Sequence, residues 1–471
     1  MTAGARLSLR AVRMSDTEAI MWAVEKDPAL RSDFCNLTIL ESAPTSEQLR
    51  NTMARAVAAI PRLGQRVVGA PLRIVPPAFA DDPTLDLSAH VRRIALPGVG
   101  SDRALLDLCG ALAEQPLDRA RPLWEFTLIE GLDNGRAALL QKIHHTITDG
   151  VGGLRLSLAF VDFEPDAAPP PPPRIHDDAP DHEGPHDTPL RVTRSAVADL
   201  ALRNARVARH LVGSAGRFLT QPSKLPARAT EAARLVRSLQ RQALSTEPAH
   251  SDVMHARSLT RYFEMYALSL PAFHRAAKAL GGSVNDLYVA GLAGALGRYH
   301  EHLGSDVSEL RLAMPISTRN RGDDAANRFV PARLVVPIQP VDDPQALFAA
   351  VQARLGGAKG EAAIGAAENL AFLLTGLPTS FLVAMARAQT RTTDFAATNL
   401  RGSPVPLYIA GQRVLANYPF GPRTGTALNA TVLSYCDELH LGLNIDPAAL
   451  ADVKAFMSDV DASFDAFLAF G

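Results

Sequence analysis

The stretch Arg136-Ala-Ala-Leu-Leu-Gln-Lys-Ile-His144-His145-Thr146-Ile147-Thr148-Asp149-Gly150 decides how this chain of 471 residues is read. From Arg136 to His144 it is mostly apolar and reads as a strand, along which neighbouring side chains point to opposite faces. Two adjacent histidines at the end of such a strand cannot both serve one cavity. Imidazole is the common side chain whose ordinary pKa lies near neutrality, so a positioned histidine can take a proton from a hydroxyl at physiological pH. Asp149 can fix the loop, and Gly150 permits a turn that other residues resist. Downstream, Val151, Leu154, Leu158 and Val161 recur at helical spacing, which places the motif between a strand and a helix. Such loops are a usual place for chemistry. The bland alternative is a packed core histidine, the commoner fate of a lone one. A metal site is not expected: adjacent histidines chelate one ion poorly, and there is no His-x-x-x-His helix or Cys-x-x-Cys pair.

Working outward, the chain is long enough for two or three domains. Its 48 basic and 49 acidic residues leave a net charge of −1, which argues against a surface built for nucleic acid. Cys35, Cys109 and Cys436 are far apart and suit a reducing cytosol, as ordinary buried thiols. Residues 1–16 have no sustained apolar core after a basic start, so no secretory signal is expected. Composition shifts at Pro165, through the run Pro169 to Pro173, into an acidic stretch ending near Leu190, the pattern of an exposed linker. Arg191 to Arg241 then carries eleven basic residues against Asp199 and Glu231. Two basic amphipathic helices fit there, suited to an anionic membrane surface or lipid droplet, or simply to packing on the protein. The uncharged stretch from Asn369 to the residue before Arg387 has two apolar halves, Leu370 to Leu374 and Phe381 to Met385. Thr375 to Ser380 divides them, so it reads as two short helices rather than a membrane span.

Strands are expected at Trp124 to Glu130, Arg136 to His144, Leu310 to Ile316, Arg333 to Gln339, Leu407 to Ala410, Leu428 to Cys436 and Glu438 to Ile445. Helices are expected at Glu47 to Ala59, Leu270 to Leu280 and Asn285 to His300. The last of these carries Gly291, Gly294 and Gly297 as a stripe for close packing. A closing helix is expected from Pro447 to Phe470, with Pro at its first turn.

Several blocks in order resemble the bacterial wax ester synthase/diacylglycerol acyltransferases, of the His-His-x-x-x-Asp-Gly acyltransferase superfamily. They are the heptad, Pro116 to Glu125 with Pro122-Leu123-Trp124, Val284-Asn285-Asp286, Pro315 to Arg319, and Leu428 to Tyr435. The chain departs from that family at Ala326-Asn327 and in a loop read at Thr398 to Gly402, where Arg401 replaces the usual proline.

The resemblance implies an α/β fold: two chloramphenicol-acetyltransferase-like α/β sandwich domains with the active site in a tunnel between them. The expected division is 1–165 for the first domain with the motif, 166–190 for the Pro-rich linker, 191–257 for the basic helical connector and 258–471 for the second domain. The implied activity is O-acyl transfer from acyl-CoA, a co-substrate, to diacylglycerol or a long-chain fatty alcohol, with no further cofactor. The alternatives are a condensation-type enzyme using a carrier-bound donor or specialised acceptor, and a non-catalytic lipid-droplet protein. By the same resemblance His145 is the general base. His144 and Asp149 support the loop, Gly150 lets the next helix approach, and Asn285 contacts the reacting oxygen or merely starts its helix. Arg319 and Asn327 are assigned to substrate binding. Trp124, Pro122 and Leu123 are expected to pack behind the site, and Asp286 to cap or pair. The implied location is cytoplasmic, with peripheral contact to the inner membrane face or lipid droplets through the basic helices.

Overall fold

The computed structural model describes residues 12–69, 76–147, 152–165, 249–317, 329–358 and 379–471. The described strands are β1 (Val12–Arg13), β2 (Asp33–Leu40), β3 (Gln65–Val68), β4 (Ala78–Asp81), β5 (Val91–Ala95), β6 (Trp124–Glu130), β7 (Ala137–His144) and β8 (Tyr262–Ser269). They continue with β9 (Glu309–Ser317), β10 (Phe329–Pro337), β11 (Phe395–Arg401), β12 (Tyr408–Ile409), β13 (Gln412–Phe420), β14 (Leu428–Tyr435) and β15 (Glu438–Ile445). The helices are α1 (Asp16–Val24), α2 (Ser46–Ala59), α3 (Leu87–His90), α4 (Asp102–Glu114), α5 (Gly152–Phe160), α6 (Leu270–Ala279), α7 (Val284–His302), α8 (Pro344–Ala358), α9 (Thr379–Thr390) and α10 (Val453–Leu468). Two six-stranded sheets dominate, in the orders β12-β13-β2-β7-β6-β5 and β10-β9-β11-β14-β15-β8.

The second sheet folds around α7. Leu428, Ala430 and Val432 of β14 share one face with Leu441, Leu443 and Ile445 of β15, and all are buried in one cluster with Leu292, Ala293 and Leu296 of the helix. The glycine stripe does what its spacing suggests. A Cβ on Gly291 would lie 2.2 Å from the Phe464 ring, and one on Gly297 would lie 2.1 Å from the Ile338 carbonyl. Ser283 caps the helix in a reciprocal capping box with Asp286.

The first sheet is built differently. Every residue of β7 is buried, because β2 and β6 flank it and both its faces are covered. On one face lie Leu105, Leu106 and Cys109 of α4, and on the other Leu49 and Met53 of α2.

Three features differ from the sequence expectations. The carboxyl-terminal half supplies β13, which pairs antiparallel with β2 in the first sheet and places Asn417 opposite Thr38. Its polar residues and Pro419 hide a strand whose partner is remote in sequence. The stretch read as a loop at Thr398 to Gly402 is largely β11, held parallel to β14 from Phe395 to Arg401. The last helix begins at Val453 behind an Asp452 cap. Pro447 instead lies in a turn where the Asp446 carbonyl accepts from the Ala449 and Leu450 N–H groups. Of the uncharged stretch, only the part from Thr379 is described, as α9; the basic stretch 191–241 lies outside the described residues.

The two sheets are joined at several points. Strand β8, an edge of the second sheet, lies under α4, where a Cβ on Gly110 would come within 2.6 Å of the Arg261 carbonyl. Arg103 of α4 pairs with Glu264 at 2.7 Å, and Phe263 stacks on Phe420 with ring centroids 4.1 Å apart. Elsewhere Arg387 of α9 pairs with Asp27.

Candidate active site

The end of β7 sets the histidine pair. In the ladder with β2, His144 stands opposite Asp33 and Ile143 opposite Phe34. Alternation then sends the two imidazoles apart. The His144 ring is buried, with Trp22 edge-on at 6.0 Å. Its Nδ1 accepts from the Thr146 N–H at 3.1 Å and lies 2.7 Å from Thr146 Oγ1, while its Nε2 lies 2.5 Å from Glu25 Oε1. An acceptor at Nδ1 and a carboxylate at Nε2 describe a neutral ring with its proton on Nε2. His144 is thus fully engaged by the protein.

His145 faces the other way. Its ring lies 4.9 Å from that of Phe34, tilted by 48°, and it is only partly buried. Its backbone N–H donates to the Ser32 carbonyl at 3.3 Å. Desolvation by burial is the largest cause lowering its pKa to about 4, so the imidazole is neutral at physiological pH. A neutral imidazole has one nitrogen free to accept a proton.

The Pro122-Leu123-Trp124 block lies directly beside the motif. The Leu123 carbonyl accepts from the His144 N–H at 3.0 Å, and the Trp124 indole donates to the Leu63 carbonyl at 2.8 Å. Trp124 also stacks on His90, ring centroids 4.6 Å apart, and burial holds the His90 pKa below its ordinary value. Arg62, one residue from that indole acceptor, donates to the Thr146 carbonyl and pairs with Glu18.

Asn285 lies in the first turn of α7, and its Oδ1 is 3.4 Å from Asn399 Nδ2 on β11. Asp286 is occupied by the cap: its carboxylate accepts from the Ser283 N–H at 2.9 Å and hydroxyl at 2.7 Å. Asp149, Gly150, Arg319 and Asn327 lie outside the described residues. Among the described residues no cluster of His, Cys, Asp and Glu could hold a metal ion.

Sequence reasoning missed the groups surrounding the pair. Asp33, opposite His144, forms a buried two-pronged ion pair with Arg261 of the other half, at 2.9 and 3.2 Å. Glu25 binds His144 and the Ser32 N–H. An acidic residue at a helix end or a strand start has no local signal for such a role; only the pairing reveals it.

Comparison with known proteins agrees with this architecture. The family model for the wax ester synthase/diacylglycerol acyltransferase catalytic domain matches residues 14–288, and that for the family's C-terminal domain matches residues 325–467. A Mycobacterium tuberculosis protein named as a putative diacylglycerol O-acyltransferase is 34% identical over 469 residues, spanning 97% of this chain and 92% of its own. Another from that organism, named as a probable diacylglycerol O-acyltransferase, is 29% identical over 440 residues, 88% of this chain and 87% of its own. In fold, the chain is similar to the wax ester synthase/diacylglycerol acyltransferase from Marinobacter aquaeolei, with a TM-score of 0.64 at 21% identity, covering 97% of this chain and 98% of that one. It is also similar to the first condensation domain of the calcium-dependent antibiotic synthetase, with a TM-score of 0.56 at 16% identity over 98% and 97% of the two chains. Two family models that together span most of the sequence, and a relative 34% identical along nearly all of it, establish that the chain is an acyltransferase of the wax ester synthase/diacylglycerol acyltransferase family.

Proposed function

We propose that the chain transfers the acyl group of a long-chain acyl-CoA to the hydroxyl of diacylglycerol or a fatty alcohol, with His145 as general base. The observation that carries this reading is the neutral, partly exposed imidazole at the end of β7, beside a second histidine that is wholly occupied by the protein. As the alcohol oxygen attacks the thioester carbonyl, the free nitrogen of His145 takes the hydroxyl proton. The tetrahedral intermediate then collapses, the carbon–sulfur bond breaks, and the imidazolium returns the proton to the departing CoA thiolate. Negative charge building on the reacting oxygens favours the imidazolium as the step proceeds, which offsets the low proton affinity of the resting ring. A positioned general base contributes roughly a hundred- to ten-thousand-fold. No acyl-enzyme and no cofactor besides acyl-CoA enter this scheme.

Asn285 is our candidate donor toward the reacting oxygen, and Arg319 and Asn327 our candidates for holding substrate. Asp149 and Gly150 shape the loop that carries the base. We read 1–165 and 258–471 as the two catalytic domains and 166–190 and 191–257 as linker and basic connector, the latter meeting an anionic lipid surface from the cytoplasmic side. Among the described residues no helix is long and apolar enough to cross a membrane.

The test is incubation with palmitoyl-CoA and either hexadecanol or dioleoylglycerol, beside His145→Ala, measuring released thiol and ester together. Ester that depends on both the alcohol and His145 is the expected result. Equal ester from His145→Ala removes the base assignment. No ester from the folded parent with either alcohol turns the reading toward a specialised acceptor or a carrier-bound donor.

A further inference from the structure

Glu25 lies outside every sequence block that marks the family, yet its carboxylate grips both sides of His145. It is the C-cap of α1. Its Oε1 accepts from the Ser32 N–H at 2.7 Å and from His144 Nε2 at 2.5 Å. Ser32 in turn accepts from the His145 N–H through its carbonyl, and His144 is the residue before it. The side chains of Glu25 and His144 are 9% and 3% exposed. A carboxylate so deep costs several kcal/mol unless donors surround it. Here the two donors are the N–H of Ser32, the residue whose carbonyl receives the His145 N–H, and the ring that precedes His145.

We infer that Glu25 is a positioning residue for the proton transfer, an inference that rests on His145 being the base. The carboxylate holds His144 as the neutral tautomer with its proton on Nε2, since Nδ1 faces the Thr146 N–H and cannot carry one. The same oxygen fixes Ser32, so the backbone around His145 is tied on both sides. Without Glu25, the Nε2–H of His144 and the N–H of Ser32 lose their shared buried acceptor. Helix α1 has other anchors, the pair of Glu18 with Arg62 and, just beyond Glu25, the pair of Asp27 with Arg387. Loss of the carboxylate therefore loosens the base rather than removing the helix.

The conservative variant Glu25→Gln keeps the shape and an oxygen in the place of Oε1, but removes the negative charge that holds both donors. A displacement on the order of 1 Å costs about a hundredfold in rate. We expect kcat to fall between about tenfold and a hundredfold, with the KM values for palmitoyl-CoA and for the alcohol changed less than about twofold. Glu25→Asp, which keeps the charge on a shorter stem, recovers part of the loss. Nitrogen-15 NMR of histidine-labelled parent protein supplies the readout that packing alone would not move: His144 is expected to carry its proton on Nε2 and none on Nδ1 at neutral pH. Unchanged kcat in Glu25→Gln overturns the proposal, as does a loss confined to KM or a His144 ring protonated on Nδ1. Should the variant not fold, the ring-nitrogen result alone decides. A parent that forms no ester refutes the acyl-transfer reading instead, and the NMR result still judges the clamp.

Discussion

One face of the second sheet and the paired strands β7 and β2 of the first bury different kinds of matter. The face of the second sheet that packs on α7 is continuous hydrocarbon, with Leu428, Ala430, Leu441 and Leu443 wholly buried against it. The first sheet buries Gln141, Lys142 and His144 on one strand, each under 5% exposed, and Asp33 and Thr38 on the next. Each of these is answered. Gln141 donates to Thr38 Oγ1 at 2.8 Å, Lys142 to the Leu112 carbonyl at 3.1 Å, and Arg261 to Asp33. A satisfied polar network fixes positions that an apolar core leaves free to slip, whereas an apolar core supplies most of the driving force for folding. The α7 face of the second sheet is a frame, and β7 and β2 of the first hold buried polar groups at set angles.

The largest test of that contrast is His145→Gln. We expect kcat/KM to fall by roughly 10²- to 10⁴-fold with the denaturation midpoint close to the parent's. The parent should keep its rate from neutrality down through about pH 5 and lose it as pH falls through about 4, where His145 takes a proton. The sign for stability is the same. The His145 pKa is lowered from 6.5 to about 4, so the unfolded chain binds the proton first. This group's contribution is complete above about pH 6.5 and drains away toward about pH 4. A rate that instead declined with a midpoint near 6.5, the ordinary value, would mean that the ring is solvated.

Next in size, Arg261→Met leaves the Asp33 carboxylate buried without its partner and should cost about 3–5 kcal/mol in urea unfolding. The double change Asp33→Leu with Arg261→Met should recover much of that, because the uncompensated charge is gone. If the single change were harmless, the halves would not be joined there. Smaller again, Gly291→Ala drives a methyl toward the Phe464 ring and should destabilise by about 1–3 kcal/mol while kcat of the folded protein holds. A fall in kcat comparable with that of His145→Gln would erase the division between frame and site. Least of all, Ser283→Ala removes the cap of α7 and should cost about 1 kcal/mol, with any rate change reporting how firmly Asn285 is held.

Much of this is legible in the sequence where the signal is local. Trp124 to Glu130 and Glu438 to Ile445 read as strands to the residue, and the small-residue stripe of α7 reads as close packing. Placement of the two histidines on opposite faces follows from strand alternation, and the two rings do have different partners. Assembly is not legible. Strand β13 looks like a polar connector because its partner is β2, and Thr398 to Arg401 looks like a loop because its neighbours are strands from other segments. In the sequence a favourable Pro447 outweighs the Asp452 cap, so the closing helix is expected to start earlier than it does.

By itself, then, the sequence determined the family, the motif, the opposed faces of His144 and His145 and most element types, since these depend on residues within a few positions of one another. Only the tertiary structure decided that Glu25 holds His144, that Arg261 holds Asp33 and that Asn417 joins Asn36, pairs separated by 119, 228 and 381 positions. Spacing along a chain carries no record of which distant groups will share a buried site; that is settled when charges and amides taken out of water must find partners in the folded core.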